Sequence, residues 1–142
     1  MAQSDFTEAM SSAASGCEMT CEQPVQFTNV MTGGLDYNRY LYHQLKCSMQ
    51  RADRIDMIVS FLMESGVRMV LKDLKQALQR GVQIRILTGN YLGITQPAAL
   101  YLLKKELGDG VDLRFYQDKN RSFHPKSYIF HYPAYSEIYI GS

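Results

Sequence analysis

The chain has 142 residues, of which 46% are hydrophobic, and its formal net charge is +1. This length and apolar content fit one globular domain with a sizeable core. No apolar run approaches the roughly 18 residues that a membrane span requires, and no basic-then-apolar signal segment opens the sequence, so we expect a cytoplasmic protein with no membrane partner.

The first 25 residues are rich in Ser, Ala, Thr and Glu and show no apolar period. They predict a tail or a loosely held segment before a domain that spans residues 26–142. Cys17, Cys21 and Cys47 are an odd number without the spacing of a disulfide framework, so we expect reduced thiols. The Cys17–Cys21 pair has no further ligands spaced to join it, and no metal site is predicted.

Helical and strand patterns alternate through the rest of the sequence. Helices are predicted at Tyr37–Arg51, at about residues 66–80 and at about residues 96–107, and strands at Arg54–Phe61, Val82–Thr88, Val111–Tyr116, 124–131 and Ile138–Ile140. This order predicts an α/β fold, a three-layer α-β-α sandwich with a mixed, mostly parallel sheet whose last two strands form an antiparallel hairpin. Because Ile58 adds an apolar side chain to the second face of the first strand, that strand is expected to be central and covered on both faces.

His124 and Lys126 are two positions apart in a run rich in Tyr, Ile and Phe, which is typical of a strand. Because strand side chains alternate, both are expected on one face. An imidazole beside an ammonium suits a phosphate, since the first can attack phosphorus and the second can hold the oxygens. Gly141 and Ser142 then form a tight turn that would bring a hydroxyl and backbone N–H groups to the same place.

A His-x-Lys pair, a strand and a Gly-Ser turn resemble the signature of the phospholipase D superfamily, whose members cleave phosphodiesters through a histidine. Three stretches resemble one branch of it, the nuclease-type domain at the N-terminus of bacterial DEAD/DEAH-type helicases: Ser60–Gly66, Ile86–Thr95 and Ser122–Phe130. The likeness runs from about Gln26 to the last residue. It implies a phospholipase D-like fold and a phosphodiesterase or nuclease that needs no cofactor, with ATP and magnesium required only if a helicase module follows.

The sequence departs from the superfamily pattern at three places. The Asp expected five residues after the lysine is His131. The interval from Lys126 to Gly141 is three residues longer than usual. The Asn expected two residues after the serine would lie beyond Ser142, and a sequence that stops within its motif is expected to be a fragment of something longer.

Two residues near these departures have competing interpretations. His131 lies an odd number of residues from His124, which predicts that it projects to the opposite face and has a structural role. Glu137 is a candidate for the absent carboxylate, or equally a solvent-facing charge at the start of a strand. Either outcome is open from the sequence.

In the superfamily two such motifs face each other. One histidine attacks phosphorus and forms a covalent phosphohistidine, and the other protonates the leaving oxygen and then activates water. One motif per chain therefore implies a homodimer that pairs His124 with its copy. Lys126 and Ser142 would neutralise charge in the transition state.

Other candidates for substrate binding lie at the ends of predicted strands. Ser60, Thr88 and Asn90 follow apolar strands whose carboxyl ends form the sites of open α/β sheets. Thr-Gly-Asn is equally good turn chemistry. Lys119 and Arg121, just before the motif, could grip a nucleic-acid backbone, or could belong to a solvated loop.

Charge supports a polyanionic partner weakly. All 15 basic residues but only 10 of the 14 acidic ones follow Val25. We expect a nucleic-acid partner, with DNA favoured and the choice between DNA and RNA left open by the sequence, and by resemblance a helicase in cis. One rival is a catalytically weak module that binds nucleic acid or dimerises. A second is a phospholipid or small-phosphodiester hydrolase, which is less favoured because nothing resembles a membrane-binding face.

Overall fold

The computed structural model describes residues 40–118 and 120–141, which form three α-helices, two single-turn 3-10 helices and five strands. The helices are α1 (Leu41–Arg51), α2 (Glu64–Gln79) and α3 (Pro97–Leu107), and the strands are β1 (Arg54–Val59), β2 (Gln83–Thr88), β3 (Val111–Phe115), β4 (Lys126–His131) and β5 (Ser136–Ile140). The tail predicted for residues 1–25 and the predicted start of the first helix lie outside the described residues.

One five-stranded sheet organises the fold, in the order β3-β2-β1-β4-β5. β1 pairs with β2, and β2 with β3, in parallel, whereas β4 runs antiparallel to both of its neighbours. Four of the five strands therefore run in one direction. These findings confirm the α/β class, the mixed sheet and the antiparallel hairpin predicted for the last two strands.

The termini of the helices follow the local sequence. Pro97 occupies the first turn of α3, where its missing N–H costs no intrahelical bond. Gly108, with φ of 57°, ends α3, and Gly81, with φ of 83°, follows the end of α2. Glycine adopts these left-handed conformations without the strain of a Cβ atom. The chain therefore turns sharply after each helix and enters the next strand.

The hydrophobic core lies between the three helices and one face of the sheet. Ile55, Ile84 and Phe130 are neighbours on three adjacent strands, and all are fully buried. They pack in one cluster with residues of every described helix, namely Leu45, Met49, Val67, Leu74, Ala77, Ala99, Leu103 and Leu107. Because side chains alternate along a strand, this cluster defines a single helix-covered face.

The opposite face of the sheet carries charged residues and has no described helix on it. Asp56, Arg85 and His131 lie there by register, and Ile140 on the edge strand is 80% exposed. Within the part of the chain that is described, the second helical layer of the predicted sandwich is therefore not seen. Ile58 is half-buried and lies beside Leu87 of the next strand, so the sheet itself supplies an apolar neighbour for it.

Candidate active site

The motif segment meets the carboxyl ends of the two central parallel strands. Lys126 pairs with Val59, the last residue of β1. The N–H of Ser60 donates to the carbonyl of Pro125 at 2.7 Å, and the N–H of Tyr91 donates to the carbonyl of Ser60 at 3.3 Å. The segments after β1 and β2 therefore reach the start of β4, in the position where open α/β sheets form their sites.

His124 and Lys126 form a direct contact at this edge. Lys126 Nζ lies 3.1 Å from His124 Nε2. The histidine is exposed and the lysine is half-buried. An ammonium group is only a donor, so the Nε2 atom that receives its hydrogen bond must carry a lone pair. That lone pair cannot attack an electrophile while it accepts the hydrogen bond, so the ammonium must turn to another acceptor, such as a phosphate oxygen, before Nε2 can act as a nucleophile.

The strand prediction for His124 needs a correction. β4 begins at Lys126, so the histidine precedes the strand and its position is not set by strand alternation. The ring instead packs on Tyr91, with centroids 4.2 Å apart and an interplanar angle of 47°. The predicted juxtaposition of imidazole and ammonium is present, but an aromatic contact from the β2–α3 loop holds the imidazole.

Phe123, the residue before the histidine, is held by two close contacts. Its ring stacks on Tyr116 with centroids 4.6 Å apart. A Cβ atom at Gly89 would lie 2.8 Å from Phe123 Cδ1, which is too close for any real Cβ contact. Gly89 is therefore glycine because the Phe123 ring lies against its Cα. This contact couples the end of β2 to the motif.

Thr95 joins the two loops behind the site. Its hydroxyl donates to the carbonyl of Gly89 and accepts the N–H of Leu62 at 3.2 Å. Its own N–H donates to Asn90 Oδ1 at 3.2 Å. Thr95 ends the Ile86–Thr95 stretch, but no signal in the sequence indicates this bridging role, since a threonine before a predicted helix is ordinary.

Replacing Thr95 with Val should misplace the site without unfolding the domain. The substitution keeps the side-chain shape but leaves the Leu62 N–H and the Gly89 carbonyl without their partner, at a cost of about 1–3 kcal/mol. We expect a lower free energy of unfolding in urea and a lower kcat for the phosphodiester cleavage that we propose for this site. Thr95→Ser keeps the hydroxyl and should restore most of both, and equal behaviour of the two variants would contradict this role.

The remaining predicted residues divide into those near the pair and those elsewhere. Ser60 and Thr88 are almost completely buried, and neither hydroxyl has a hydrogen-bond partner among the described residues. Asn90 accepts a hydrogen bond from the Thr95 N–H, which stabilises the loop between β2 and α3. The N–H of Gly141 donates to the Lys126 carbonyl at 2.8 Å, which brings the end of β5 beside the pair.

The basic loop and the terminal serine are described only in part. Arg121 is 81% exposed and lies 3.9 Å from Asp118. Such an exposed ion pair contributes little to stability and leaves the guanidinium accessible. Lys119 and Ser142 lie outside the described residues, so their predicted roles stay predictions.

Glu137 does not reach the His124–Lys126 pair, which corrects its assignment as a substitute carboxylate. It pairs with Phe130, four residues along β4 from Lys126, a separation of roughly 13 Å at the rise of a strand. Its carboxylate accepts hydrogen bonds from Ser48 at 2.7 Å and from Tyr132 at 2.6 Å, and Arg51 lies 3.4 Å away. Glu137 thus fastens α1 to the hairpin.

His131 contacts the Asp56 carboxylate on the face of the sheet opposite Lys126. Its Nε2 lies 2.9 Å from Asp56 Oδ2, and its Nδ1 lies 2.9 Å from the Ser136 hydroxyl. Arg85 donates two hydrogen bonds to the same carboxylate, at 2.6 and 2.7 Å. This geometry is that of the structural role considered from the sequence.

The contacts of Asp56 with Arg85 and His131 should make the free energy of unfolding depend on pH at acidic values. The Arg85 hydrogen bonds, joined by the His131 bond and the nearby guanidinium charges, hold the pKa of Asp56 below its ordinary value of 3.8 against the opposing effect of burial. A carboxyl group whose pKa is lowered by folding stabilises the protein above its unfolded pKa and loses that contribution as pH falls through the folded value. The unfolding free energy of the native protein should therefore exceed that of Asp56→Asn above about pH 5. This difference should shrink toward pH 3 in urea titrations, and a difference independent of pH would contradict the assignment.

Three further features concern possible metal ligands, membrane spans and cysteines. Among residues 40–118 and 120–141, no group of three His, Cys, Asp or Glu side chains is placed to hold a metal ion. No described helix is long and apolar enough to cross a membrane. Cys47 is disulfide-bonded, so the expectation of three reduced thiols is wrong, because an odd number of cysteines still permits one pair. Cys17 and Cys21 lie outside the described residues.

Fold and site together define a phospholipase D-like α/β domain, a member of a superfamily of phosphodiesterase type. Its motif lies where the carboxyl ends of β1 and β2 meet the start of β4. The chain belongs to the family described as "Cardiolipin synthase, PLD-like domain", which matches residues 45–142. The matched segment contains all five strands and the His124–Lys126 pair.

The chain is also similar in fold to a solved structure. The crystal structure of polyphosphate kinase from Porphyromonas gingivalis is similar over 67% of this chain, with a TM-score of 0.47 and 16% sequence identity. The similar region is 16% of that chain, so this sequence spans a small part of the length of that kinase. No curated protein matches the sequence.

Proposed function

We propose that this domain is a phosphodiesterase that cleaves nucleic acid through a covalent phosphohistidine on His124. The observation that carries the proposal is the 3.1 Å contact between Lys126 Nζ and His124 Nε2 at the exposed edge of the sheet. A positioned ammonium can hold the phosphate oxygens while the imidazole attacks. No metal is needed for this chemistry, since the imidazole supplies the nucleophile and the lysine supplies the charge.

The reaction proceeds in two displacements. Lys126 first turns its ammonium from Nε2 to a phosphate oxygen. The freed Nε2 lone pair of His124 then forms a bond to phosphorus as the bond to the leaving ester oxygen breaks, and an acid gives that oxygen a proton. Water then attacks phosphorus, and the group that protonated the leaving oxygen now removes a proton from the water. The phosphorus–nitrogen bond breaks and regenerates the imidazole. Lys126 neutralises charge on the phosphoryl oxygens in both transition states.

A second copy of the chain supplies the acid. The sequence holds three histidines, of which His43 is buried on α1 and His131 binds Asp56 on the other face of the sheet. Neither shares the edge at which His124 lies. A homodimer would place the two copies of His124 across one phosphate, one neutral and one protonated.

The nucleic-acid assignment draws on charge and on resemblance. The exposed guanidinium of Arg121 lies three residues before the motif histidine, where it can contact a flanking phosphate. By resemblance the domain is the N-terminal module of a cytoplasmic helicase that acts on DNA, with ATP and magnesium used by the helicase. The assignments of DNA as substrate and of an attached helicase depend on that resemblance.

A nuclease assay tests the proposal. Fluorescent single- and double-stranded DNA oligonucleotides are incubated with the protein in EDTA, and cleavage is compared among wild type, His124→Ala and Gln117→Ala, which alters an exposed residue of the same loop. We expect cleavage by the wild type and the control, and a loss of at least about 10³-fold for His124→Ala. Thermal unfolding of each variant controls for folding.

Two other outcomes identify the rival functions. Binding of the oligonucleotides without cleavage would make this a binding or dimerisation module. Hydrolysis of phospholipid vesicles but not of DNA would make it a lipid hydrolase. Cleavage that survives in His124→Ala would overturn the phosphohistidine mechanism.

A further inference from the structure

The imidazole of His124 has two side-chain contacts among the described residues. Lys126 Nζ lies 3.1 Å from its Nε2, and the ring of Tyr91 packs against it with centroids 4.2 Å apart. Its Nδ1 has no hydrogen-bond partner within residues 40–118 and 120–141. Functional histidines are often oriented by a hydrogen bond at the second ring nitrogen. The orientation of this ring therefore depends on its contacts with the lysine and the tyrosine.

The contact with the lysine cannot last through the reaction. Nε2 must be free of its hydrogen bond before it attacks phosphorus, and the ammonium of Lys126 then turns to a phosphate oxygen. From that point the ring of Tyr91 is the remaining described contact of the imidazole. An imidazole free to change rotamer would direct Nε2 away from phosphorus for part of the time, which lowers the rate.

Tyr91 is itself fixed by the loop between β2 and α3. Its N–H donates to the carbonyl of Ser60 at 3.3 Å, and its carbonyl accepts the N–H of Ile94 at 3.1 Å. Leu92 follows with φ of 53°, a strained conformation for a residue with a Cβ atom, although its side chain is 78% exposed and gains little from burial. Such strain persists only where surrounding contacts hold the backbone. The loop therefore presents the Tyr91 ring in a defined position.

We propose that Tyr91 is a positioning residue that keeps Nε2 of His124 directed at phosphorus after Lys126 has turned to the phosphate, an inference that rests on the proposed function. The contact is between two rings, so it needs the aromatic ring of Tyr91 and not its hydroxyl. The site thus orients its histidine through a ring contact, where a Ser-His-Asp triad uses a carboxylate.

Nuclear magnetic resonance of the imidazole protons tests which contact holds the ring. An aromatic ring displaces the resonances of protons packed against it, and the sequence has only three histidines to assign. Spectra are recorded at about pH 8.5, where histidine side chains are ordinarily neutral. The His124 signals should keep their displacement in Lys126→Met, which removes the ammonium, and in Tyr91→Phe. They should lose it in Tyr91→Leu.

Steady-state cleavage of a fluorescent oligonucleotide tests the consequence for the reaction. Tyr91→Leu should lower kcat by about 2- to 10-fold, the factor in an equilibrium that one aromatic pair supplies. KM should not change, because Tyr91 acts on the nucleophile and not on the substrate. Tyr91→Phe should restore most of the rate. Tyr101→Leu alters a tyrosine of α3 that is 75% exposed and should change neither constant.

Several results would overturn this role of Tyr91. These are a displacement lost in Lys126→Met or retained in Tyr91→Leu, an unchanged kcat in Tyr91→Leu, or a Tyr91→Phe enzyme as slow as Tyr91→Leu. Thermal unfolding of each variant controls for folding, and the Lys126→Met spectrum decides even if Tyr91→Leu does not fold. Failure of the proposed function is distinguishable, because it would show as intact DNA with the wild type while the spectra still report whether Tyr91 holds the imidazole.

Discussion

Lys126→Met should lower the kcat for phosphodiester cleavage by about 10²- to 10³-fold, the effect of removing one preorganised donor from a developing anion. Lys126 occupies the first position of β4 and its Nζ lies 3.1 Å from Nε2 of His124, so its ammonium is held beside the proposed nucleophile. Met keeps the length and the apolar character of the stem, so the fold should tolerate it. Steady-state rates on a fluorescent oligonucleotide measure the loss.

Two comparisons make this result specific. Lys105→Met removes an exposed ammonium of α3 and should leave the rate unchanged. Lys126→Arg keeps the positive charge in a planar group and should recover only part of the rate. A Lys126→Met enzyme as fast as the wild type would remove the lysine from the chemistry.

Phe130→Ala should destabilise the domain by about 3–5 kcal/mol, because it empties the centre of the core. Phe130 is fully buried on β4, the strand that begins with Lys126, and its ring meets Tyr139 edge-on with centroids 5.8 Å apart. We expect the midpoint of thermal unfolding to fall by more than about 10 °C.

The same hairpin offers a matched control for this prediction. Ile140 on β5 is 80% exposed, so Ile140→Ala should change the free energy of unfolding by no more than about 0.5 kcal/mol. Similar losses for the two variants would mean that Ile140 is covered in solution, for example by a second copy of the chain. A loss for Phe130→Ala as small as that expected for an exposed residue would contradict its central role in the core.

Periodicity in the sequence predicted the elements well because each is encoded locally. The apolar stripe of α2, the proline and glycine that bound α3 and the β-branched run of β2 each lie within one stretch of chain. The His-x-Lys motif was recognisable for the same reason, since its two residues are neighbours in the chain. The hairpin of β4 and β5 also followed from local turn residues.

Long-range contacts decided what the sequence left open. Glu137 and His131 are both close to the motif in sequence, but the register of β4 with β5 directs Glu137 to α1, and that with β1 directs His131 to Asp56. Asp56 lies 75 residues away along the chain and carried no signal that it would face a histidine.

What the sequence alone determined was the α/β class, the order of elements and the close spacing of His124 and Lys126 before and within one strand, because propensity and spacing are local properties. Only the tertiary structure decided which face of the sheet the described helices cover and how Tyr91 holds the imidazole. These features depend on the packing of distant segments, which no single stretch of sequence encodes.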